Sequence, residues 1–381
     1  MIPNIEEALC MRASQWTSYT VEFSDSIDSL SSHRWMRTHL ERRSCLVVTT
    51  PTVERLYGAA IREAFGGADC QPFWHVLNCT EETKDMNGVL SICRAASAAQ
   101  IDRQGTLVAI GGGVCSDMVG FAASMLRRSI AHLRIPTTLI GQVDAGIGLK
   151  CGINLENHKN YLGSFHSPES VLIIPKMLAT LGHGRIEQGL AEVIKIACVI
   201  DADLFQVLEN AGGHRLKGWF DSGNEVIVKC MQRAVRATLH ELSLNPFERS
   251  GYERALDFGH TIAHPLEAAT CYHLHHGLAV SIDIAFSSVV GWQLGWLKKE
   301  TAERILNLLQ SVGLPLYHNM LSETLVLMAF HDSMKHRGGE LNMVIPIDIG
   351  RFRFLKHGEL TAKSIRAALE LLRARQSPET V

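Results

Sequence analysis

Three histidines carry the most pointed chemistry in this chain. His260 and His264 lie in Asp257-Phe258-Gly259-His260-Thr261-Ile262-Ala263-His264, and His276 lies in Leu274-His275-His276-Gly277. Read as a helix, a spacing of four residues puts the His260 and His264 rings one turn apart on the same side. That pairing suits a metal ion, completed by His276 or by a distant carboxylate. A catalytic zinc takes about three protein ligands and keeps one position open. A second group is Gly189-Leu190-Ala191-Glu192-Val193-Ile194-Lys195, in which Glu192 and Lys195 stand three apart. On an exposed helix this would be an ordinary ion pair. Apolar flanks on both sides favour a buried, functional pair instead.

Phosphate chemistry is suggested at two further places. Ile110-Gly111-Gly112-Gly113-Val114-Cys115-Ser116-Asp117 follows an apolar run and opens a helix-like segment. Glycines there let backbone approach a phosphate, and a helix N-terminus offers free N–H donors. Ser116 takes the place of the last glycine of G-x-G-x-x-G, so a nucleotide site and a ligand-free turn both fit. Val143-Asp144-Ala145-Gly146-Ile147-Gly148-Leu149-Lys150 and His158-Lys159-Asn160 read as a glycine-rich loop. Its lysines and asparagine suit a phosphate and hydroxyls, or a solvated surface.

These residues need a scaffold, and the apolar pattern supplies one. Ser44–Thr50, Phe73–Leu77, Thr106–Ile110, Ile135–Leu139 and Ser170–Pro175 read as strands, with helical stretches such as Val53–Phe65 between them. Strand and helix in that rhythm predict a parallel sheet with crossover helices. Beyond about residue 178 the segments Gln188–Val199, Glu225–Leu242, Glu253–Ala269, Leu278–Trp296 and Lys299–Val312 are long and periodic, with one small strand at Leu341–Pro346. The expectation is an α/β Rossmann-like domain over 1–178 followed by an all-α metal-binding domain over 179–381. A length of 381 residues agrees with two domains of about 150 each.

Composition removes several classes of function. The balance of 37 basic against 39 acidic residues gives no basic face for nucleic acid. No apolar run reaches the roughly 18 residues of a membrane span. The first residues lack the basic and apolar regions of a secretory signal. Ten cysteines without C-x-x-C spacing read as reduced small hydrophobes of a cytoplasmic protein, not a disulfide framework.

Taken together, the ordered blocks resemble the sugar phosphate cyclases, the family of dehydroquinate synthase. They are Gly111–Val114 with Asp117, Pro136-Thr137-Thr138-Leu139, Asp144–Lys150, His158-Lys159-Asn160, Gly189–Lys195, Gly259-His260-Thr261 and His276-Gly277. The resemblance implies metal ligands Glu192, His260 and His276, holding zinc or cobalt, with His264 turned to substrate. It implies NAD contacts from Glu81, Lys84, Gly112, Gly113, Asp117, Thr137, Thr138 and Lys159. Substrate contacts are implied for Asp144, Lys150, Asn160 and Lys195, with Arg128 near the phosphate. A homodimer is also implied. The family's reaction uses NAD without net redox change: oxidation of a ring hydroxyl, phosphate elimination, re-reduction, ring opening and an aldol closure.

Departures from dehydroquinate synthase point to a subgroup. The arginine and asparagine with which that enzyme reads a substrate carboxylate are Glu253 and Asp257 here, and Arg254 on a helix would be aimed away. An Asp-Lys-Lys segment expected near Met334 is replaced by His336-Arg337-Gly338-Gly339. Asp257–His260, Glu241-Leu242 with Asn245, and Lys335-His336-Arg337 instead resemble the 2-epi-5-epi-valiolone synthases. Those act on sedoheptulose 7-phosphate, whose hydroxyl can donate to a residue such as Asp257. Asp257 and His336 are therefore expected in the catalytic group. His264 stands where those synthases carry proline, which keeps the epimer 2-epi-valiolone open as product. The competing readings are a 3-dehydroquinate synthase and a metal-dependent polyol dehydrogenase of related fold.

Overall fold

The computed structural model describes residues 17–376 except 28, 31–32, 68–71, 157, 213–215, 217–224, 250, 252 and 337, and only the backbone of His336. Six parallel strands form its first layer: β1 (Thr20–Phe23), β2 (Cys45–Thr49), β3 (Phe73–Val76), β4 (Thr106–Gly111), β5 (Ala131–Pro136) and β8 (Ser170–Ile173). Their order is β1-β8-β5-β4-β2-β3. Strands β2 and β4 are buried throughout, as continuous apolar runs in a parallel sheet should be. Alternate residues divide between the faces. Cys45, Val47 and Val108 pack with α1 (Arg34–Leu40) and α2 (Pro51–Gly67). Leu46, Val48 and Leu107 pack with α3 (Met86–Ala98) and α4 (Gly113–Met125).

From β2 the chain crosses outward to β3, then returns to β4 on the other side of β2. That reversal opens a crevice at the carboxyl ends of β2 and β4, the place where doubly wound sheets bind ligands. The glycine turn ends β4 and starts α4 at this point. A short antiparallel hairpin, β6 (Lys150–Leu155) and β7 (His158–Phe165), lies over α4.

The second half holds α5 (His183–Val199), α6 (Ala202–Ala211), α7 (Glu225–Leu244), α8 (Ala263–Ala269), α9 (His276–Gln293), α10 (Lys299–Ser311), α11 (Glu323–His336) and α12 (Ala362–Arg375). The apolar helix α9 is central, packing against α5, α8, α10, α12 and a hairpin of β9 (Met343–Asp348) and β10 (Arg351–Leu355). One core joins these helices to Leu139, Val143, Ile147, Val171 and Ile173 from the first half.

Four expectations are corrected. The strand placed at Ile135–Leu139 is Ala131–Pro136, because Pro136 ends the ladder and residues 141–145 form a π-helical turn. The segment read as one glycine-rich loop is that turn followed by the β6–β7 hairpin. Glu253–Ala269 is not one helix: Ala255–Asp257 is a single 3-10 turn, Gly259 has φ +73°, and α8 starts only at Ala263. The second half is helical as expected, but among its described residues the one expected strand is joined by a second, β10, to form a hairpin with β9.

Candidate active site and metal centre

Two glycines bring the metal-ligating types together. A Cβ at Gly277 would lie 2.2 Å from the Gln188 carbonyl oxygen, so only glycine lets the start of α9 rest on α5. A Cβ at Gly189 would lie 2.4 Å from Leu139 Cβ, so α5 also sits close on the turn after β5. Glu192 projects from α5 and is fully buried. Its Oε1 lies 3.1 Å from His276 Nε2 and 3.8 Å from His260 Nε2. Ligand atoms of these three residues fall within 4.8 Å of one another.

The donor chemistry fits a metal. His260 Nδ1 donates to the Phe258 carbonyl at 3.0 Å and His276 Nδ1 donates to Glu267 Oε1 at 3.1 Å. Each bond fixes the proton on Nδ1 and leaves Nε2 directed at Glu192. A second carboxylate behind a ligating histidine is the usual support of such a site. Lys195 Nζ is 2.6 Å from Glu192 Oε2, yet neither Glu192 oxygen has a well-directed hydrogen bond, so the contact is close in distance and poor in angle. A buried carboxylate of this kind is costly unless a cation completes it.

His264, Glu267 and His276 form a second compact group. There Glu267 is already saturated: it accepts from His264 Nδ1 at 3.0 Å, from His276, and from Lys159 Nζ at 3.0 and 3.1 Å. Of the two groups, Glu192, His260 and His276 is the one whose ligand atoms are not already taken up by other donors, and it could hold a metal ion. The His260 and His264 rings are 5.3 Å apart, but not as two positions of one helix, since His260 precedes α8.

Burial disfavours ionised Glu192, but Lys195, with help from His276 and His260, holds its carboxyl well below the ordinary range. Burial, then the Lys195 charge, pushes His260 well down. Lys195 itself is raised despite burial, because Asp144, 3.8 Å away, and Glu192 face it. Burial raises Asp144, more than Lys195 lowers it.

At the carboxyl edge of the sheet, Lys84 is buried and reaches Asp117 Oδ2 and Asn160 Oδ1, each at 2.6 Å. Glu81 Oε1 accepts from Asn154 at 2.9 Å. Gly112 lies against Thr138, Gly113 against Ala145, and the Thr137 N–H donates to the Gly111 carbonyl. Of the residues expected at the cofactor, Lys84 meets Asp117 on α4, and Thr137 and Thr138 lie against the glycine turn. Asn160, expected at the substrate, joins the Lys84 group, while Lys159, expected at the cofactor, joins Glu267. The β6–β7 register breaks between Ile153 and Leu155, and the Asn160 N–H donates to Asn154 Oδ1 with Asn160 at φ +53°. This bulge turns the two neighbours to different partners.

Lys150 and Arg254 share the Glu248 carboxylate, and Arg254 Nη2 also reaches Asp257 Oδ1 at 2.9 Å. Arg254, expected to point away, is therefore turned into this group, because its backbone is extended at the start of a single 3-10 turn and not part of an α-helix. Glu253 pairs with Lys356. Arg128 is exposed beyond the end of α4. Thirteen residues of helix separate it from the glycine turn, roughly 20 Å. The His336 side chain lies outside the described residues. Sequence reasoning missed Glu267 and Glu248. A charged residue among Leu266, Ala268 and Ala269, one turn after His264, was a usable signal for the first, and none marked the second.

Profile comparison matches residues 74–188 to the 3-dehydroquinate synthase N-terminal family and 189–335 to its C-terminal family. A 2-epi-5-epi-valiolone synthase of Streptomyces glaucescens is 36% identical over 93% of this chain and 92% of its own length. A 3-dehydroquinate synthase of Caldanaerobacter subterraneus subsp. tengcongensis is 33% identical over 83% and 88%. The solved 2-epi-5-epi-valiolone synthase from Streptomyces hygroscopicus subsp. jinggangensis 5008, with NAD+ and Zn2+ bound, superposes with a TM-score of 0.91 at 36% identity. That match covers 97% of this chain and 100% of the solved one. With both halves of the fold matched and relatives similar along nearly its whole length, the chain belongs to the dehydroquinate synthase-like family of sugar phosphate cyclases.

Proposed function

We infer that this protein cyclises sedoheptulose 7-phosphate to a valiolone, either 2-epi-5-epi-valiolone or its epimer 2-epi-valiolone, with release of phosphate. The observation that carries the substrate choice is the charge pattern around Asp257. Arg254 is engaged by Glu248 and Asp257, and Lys356 by Glu253. A substrate carboxylate brought here would face carboxylates whose cations are already committed, and Coulomb repulsion opposes it. A sugar hydroxyl instead donates to Asp257, a bond worth about 1.5–3 kcal/mol with a charged acceptor.

Glu192, His260 and His276 would hold zinc or cobalt, and the glycine turn with Glu81, Lys84, Asp117, Thr137 and Thr138 would hold NAD. When bound, NAD takes up and returns a hydride while the metal polarises the oxygen at the reacting carbon. Lys195, buried between Glu192 and Asp144, orients hydroxyls beside that carbon. Asp144, whose burial favours its protonated form, can hold a proton there. Lys150 is half exposed and can pass from Glu248 to an incoming phosphate. His264, held by Glu267, faces the substrate, and with His336 it bears on the stereochemistry of closure. The assembly in this reading is a cytoplasmic homodimer.

Incubation with sedoheptulose 7-phosphate, NAD and zinc tests the reading. Phosphate should be released over many turnovers without sustained NADH absorbance, and a valiolone should appear by NMR. NADH accumulating in step with product would mean a polyol dehydrogenase. Comparable turnover of the shikimate-pathway heptulosonate phosphate would mean a 3-dehydroquinate synthase.

A further inference from the structure

Arg134 lies on the central strand β5 and is fully buried, yet no carboxylate pairs with it among the described residues. Its Nη1 is spent on main chain, its Nη2 faces a thiol, and its buried Nε has no hydrogen-bond partner among the described residues. Nη1 donates to the Gly146 carbonyl at 3.2 Å and to the Gly148 carbonyl at 2.7 Å, and Nη2 lies 3.1 Å from Cys151 Sγ. The carbonyl between them, of Ile147, accepts from the Tyr19 hydroxyl at 2.7 Å. Three successive carbonyls of one turn are thus held by two side chains from outside it.

Space for this arrangement is built into the neighbouring helix. A Cβ at Gly120 of α4 would lie 2.3 Å from Cys151 Sγ and 3.2 Å from Arg134 Nη2. Within the turn only glycine fits at position 146, since a Cβ there would lie 2.2 Å from the Gly141 carbonyl oxygen. A buried cation without an anion is costly, and carbonyl acceptors compensate it only while they stay in place. The turn joins Asp144, which faces Lys195, to Lys150, which opens β6. A planar fork can hold two carbonyls at once, whereas an ammonium is a point charge.

We propose that Arg134, assisted by Tyr19, is a positioning residue that fixes the 144–150 turn and thereby sets the relative placement of Asp144 and Lys150 for the reaction. The catalytic part of this inference rests on the proposed function, in which Asp144 and Lys150 meet the substrate. The clamp itself is independent of it.

The test uses the full-length protein loaded with zinc and NAD. Tyr19→Phe removes one hydroxyl from a partly buried ring, and Arg134→Lys keeps charge but loses the fork. Hydrogen exchange should accelerate at least fivefold at amides of the 144–150 turn in Tyr19→Phe, with strands β2 and β4 unchanged. The kcat on sedoheptulose 7-phosphate should fall about fivefold, the effect of one ordinary hydrogen bond. In Arg134→Lys it should fall about a hundredfold, as for a misplacement of about 1 Å. NAD affinity, read by quenching of protein fluorescence, should stay within twofold. Unchanged turn exchange in folded Tyr19→Phe overturns the clamp. So does full kcat in Arg134→Lys, or a loss of NAD affinity that tracks kcat. If the unaltered protein releases no phosphate, the proposed function fails while the exchange measurement still decides the clamp.

Discussion

Replacing Glu267 by glutamine keeps the shape of the side chain but removes the charge on which Lys159, His264 and His276 converge. The Glu267 side chain is 3% exposed and that of Lys159 is 17% exposed, so the ammonium would lose its carboxylate in a largely dry place. Breaking such a pair from one side costs about 3–5 kcal/mol when burial is complete, and the partial access of Lys159 points to about 3. Glutamine also offers one neutral acceptor oxygen where the carboxylate offers two charged ones, so the bond that fixes the His276 proton on Nδ1 weakens, which should lower zinc affinity by about 10- to 100-fold. Urea unfolding of the metal-free protein reads the first effect, and competition with a chromogenic chelator reads the second. The decisive comparison adds Lys159→Met. Removing the stranded cation should return part of the loss, so the double variant should be more stable than the sum of the two single losses by about 2 kcal/mol. Additivity within about 0.5 kcal/mol, or zinc affinity unchanged in Glu267→Gln, would refute the shared-carboxylate argument.

Other outcomes follow from the same geometry. His276→Ala should lose most bound zinc while His264→Ala stays near stoichiometric, measured by metal analysis of the purified proteins. Because His276 is shared by both groups, His264→Ala is the arm that separates them, and loss of zinc in that variant would favour the second group. Gly277→Ala should lower zinc content as well, because its methyl would push α9 off the Gln188 backbone and carry His276 away from Glu192. Zinc content equal to that of the unaltered protein would contradict this. Burial pushes the Asp283 carboxyl up to about 6, against the hydrogen bonds it accepts from the amides of Ile262 and Ala263. Between the ordinary carboxylate value and about 6 the folded protein keeps a proton that the unfolded chain has released. Stability should therefore fall as pH rises through that window, by about 3 kcal/mol in all. Asp283→Asn should abolish this slope in urea unfolding from pH 4 to 6.5, and an identical slope in both proteins would count against it.

The motifs that could be read from sequence are short and contiguous. Gly111–Gly113 after an apolar run and Glu192 with Lys195 needed only local spacing to be noticed, whereas Thr137 and Thr138 were legible only through the family resemblance. What escaped depended on partners far along the chain. His132 and Arg134 broke the apolar run of β5 and delayed the expected strand by four residues, although both are fully buried. Gly146 and Gly148 gave the stretch from Val143 to Asn160 the look of one loop, while cross-strand pairing from Lys150 onward made its second part a sheet. The helix drawn through Glu253–Ala269 ignored Gly259, whose positive φ breaks the periodicity before Pro265 enters the first turn of α8. Glu248 gained its meaning only from meeting Lys150 and Arg254.

The bulge in β7 makes one strand answer to two sites. Asn160 is tied to Lys84 beside the glycine turn, and its neighbour Lys159 is tied to Glu267 behind His276. These two attachments sit on consecutive residues, so a displacement of one is a displacement of the other. An occupant of the nucleotide crevice that draws Lys84 away from Asn160 changes the tension on Glu267, and an ion that settles Glu267 and His276 steadies Lys84. Such a link has no preferred direction. Whatever factor NAD imposes on zinc affinity, zinc must impose on NAD affinity, and Lys159 and Asn160 are the consecutive residues through which β7 touches both places.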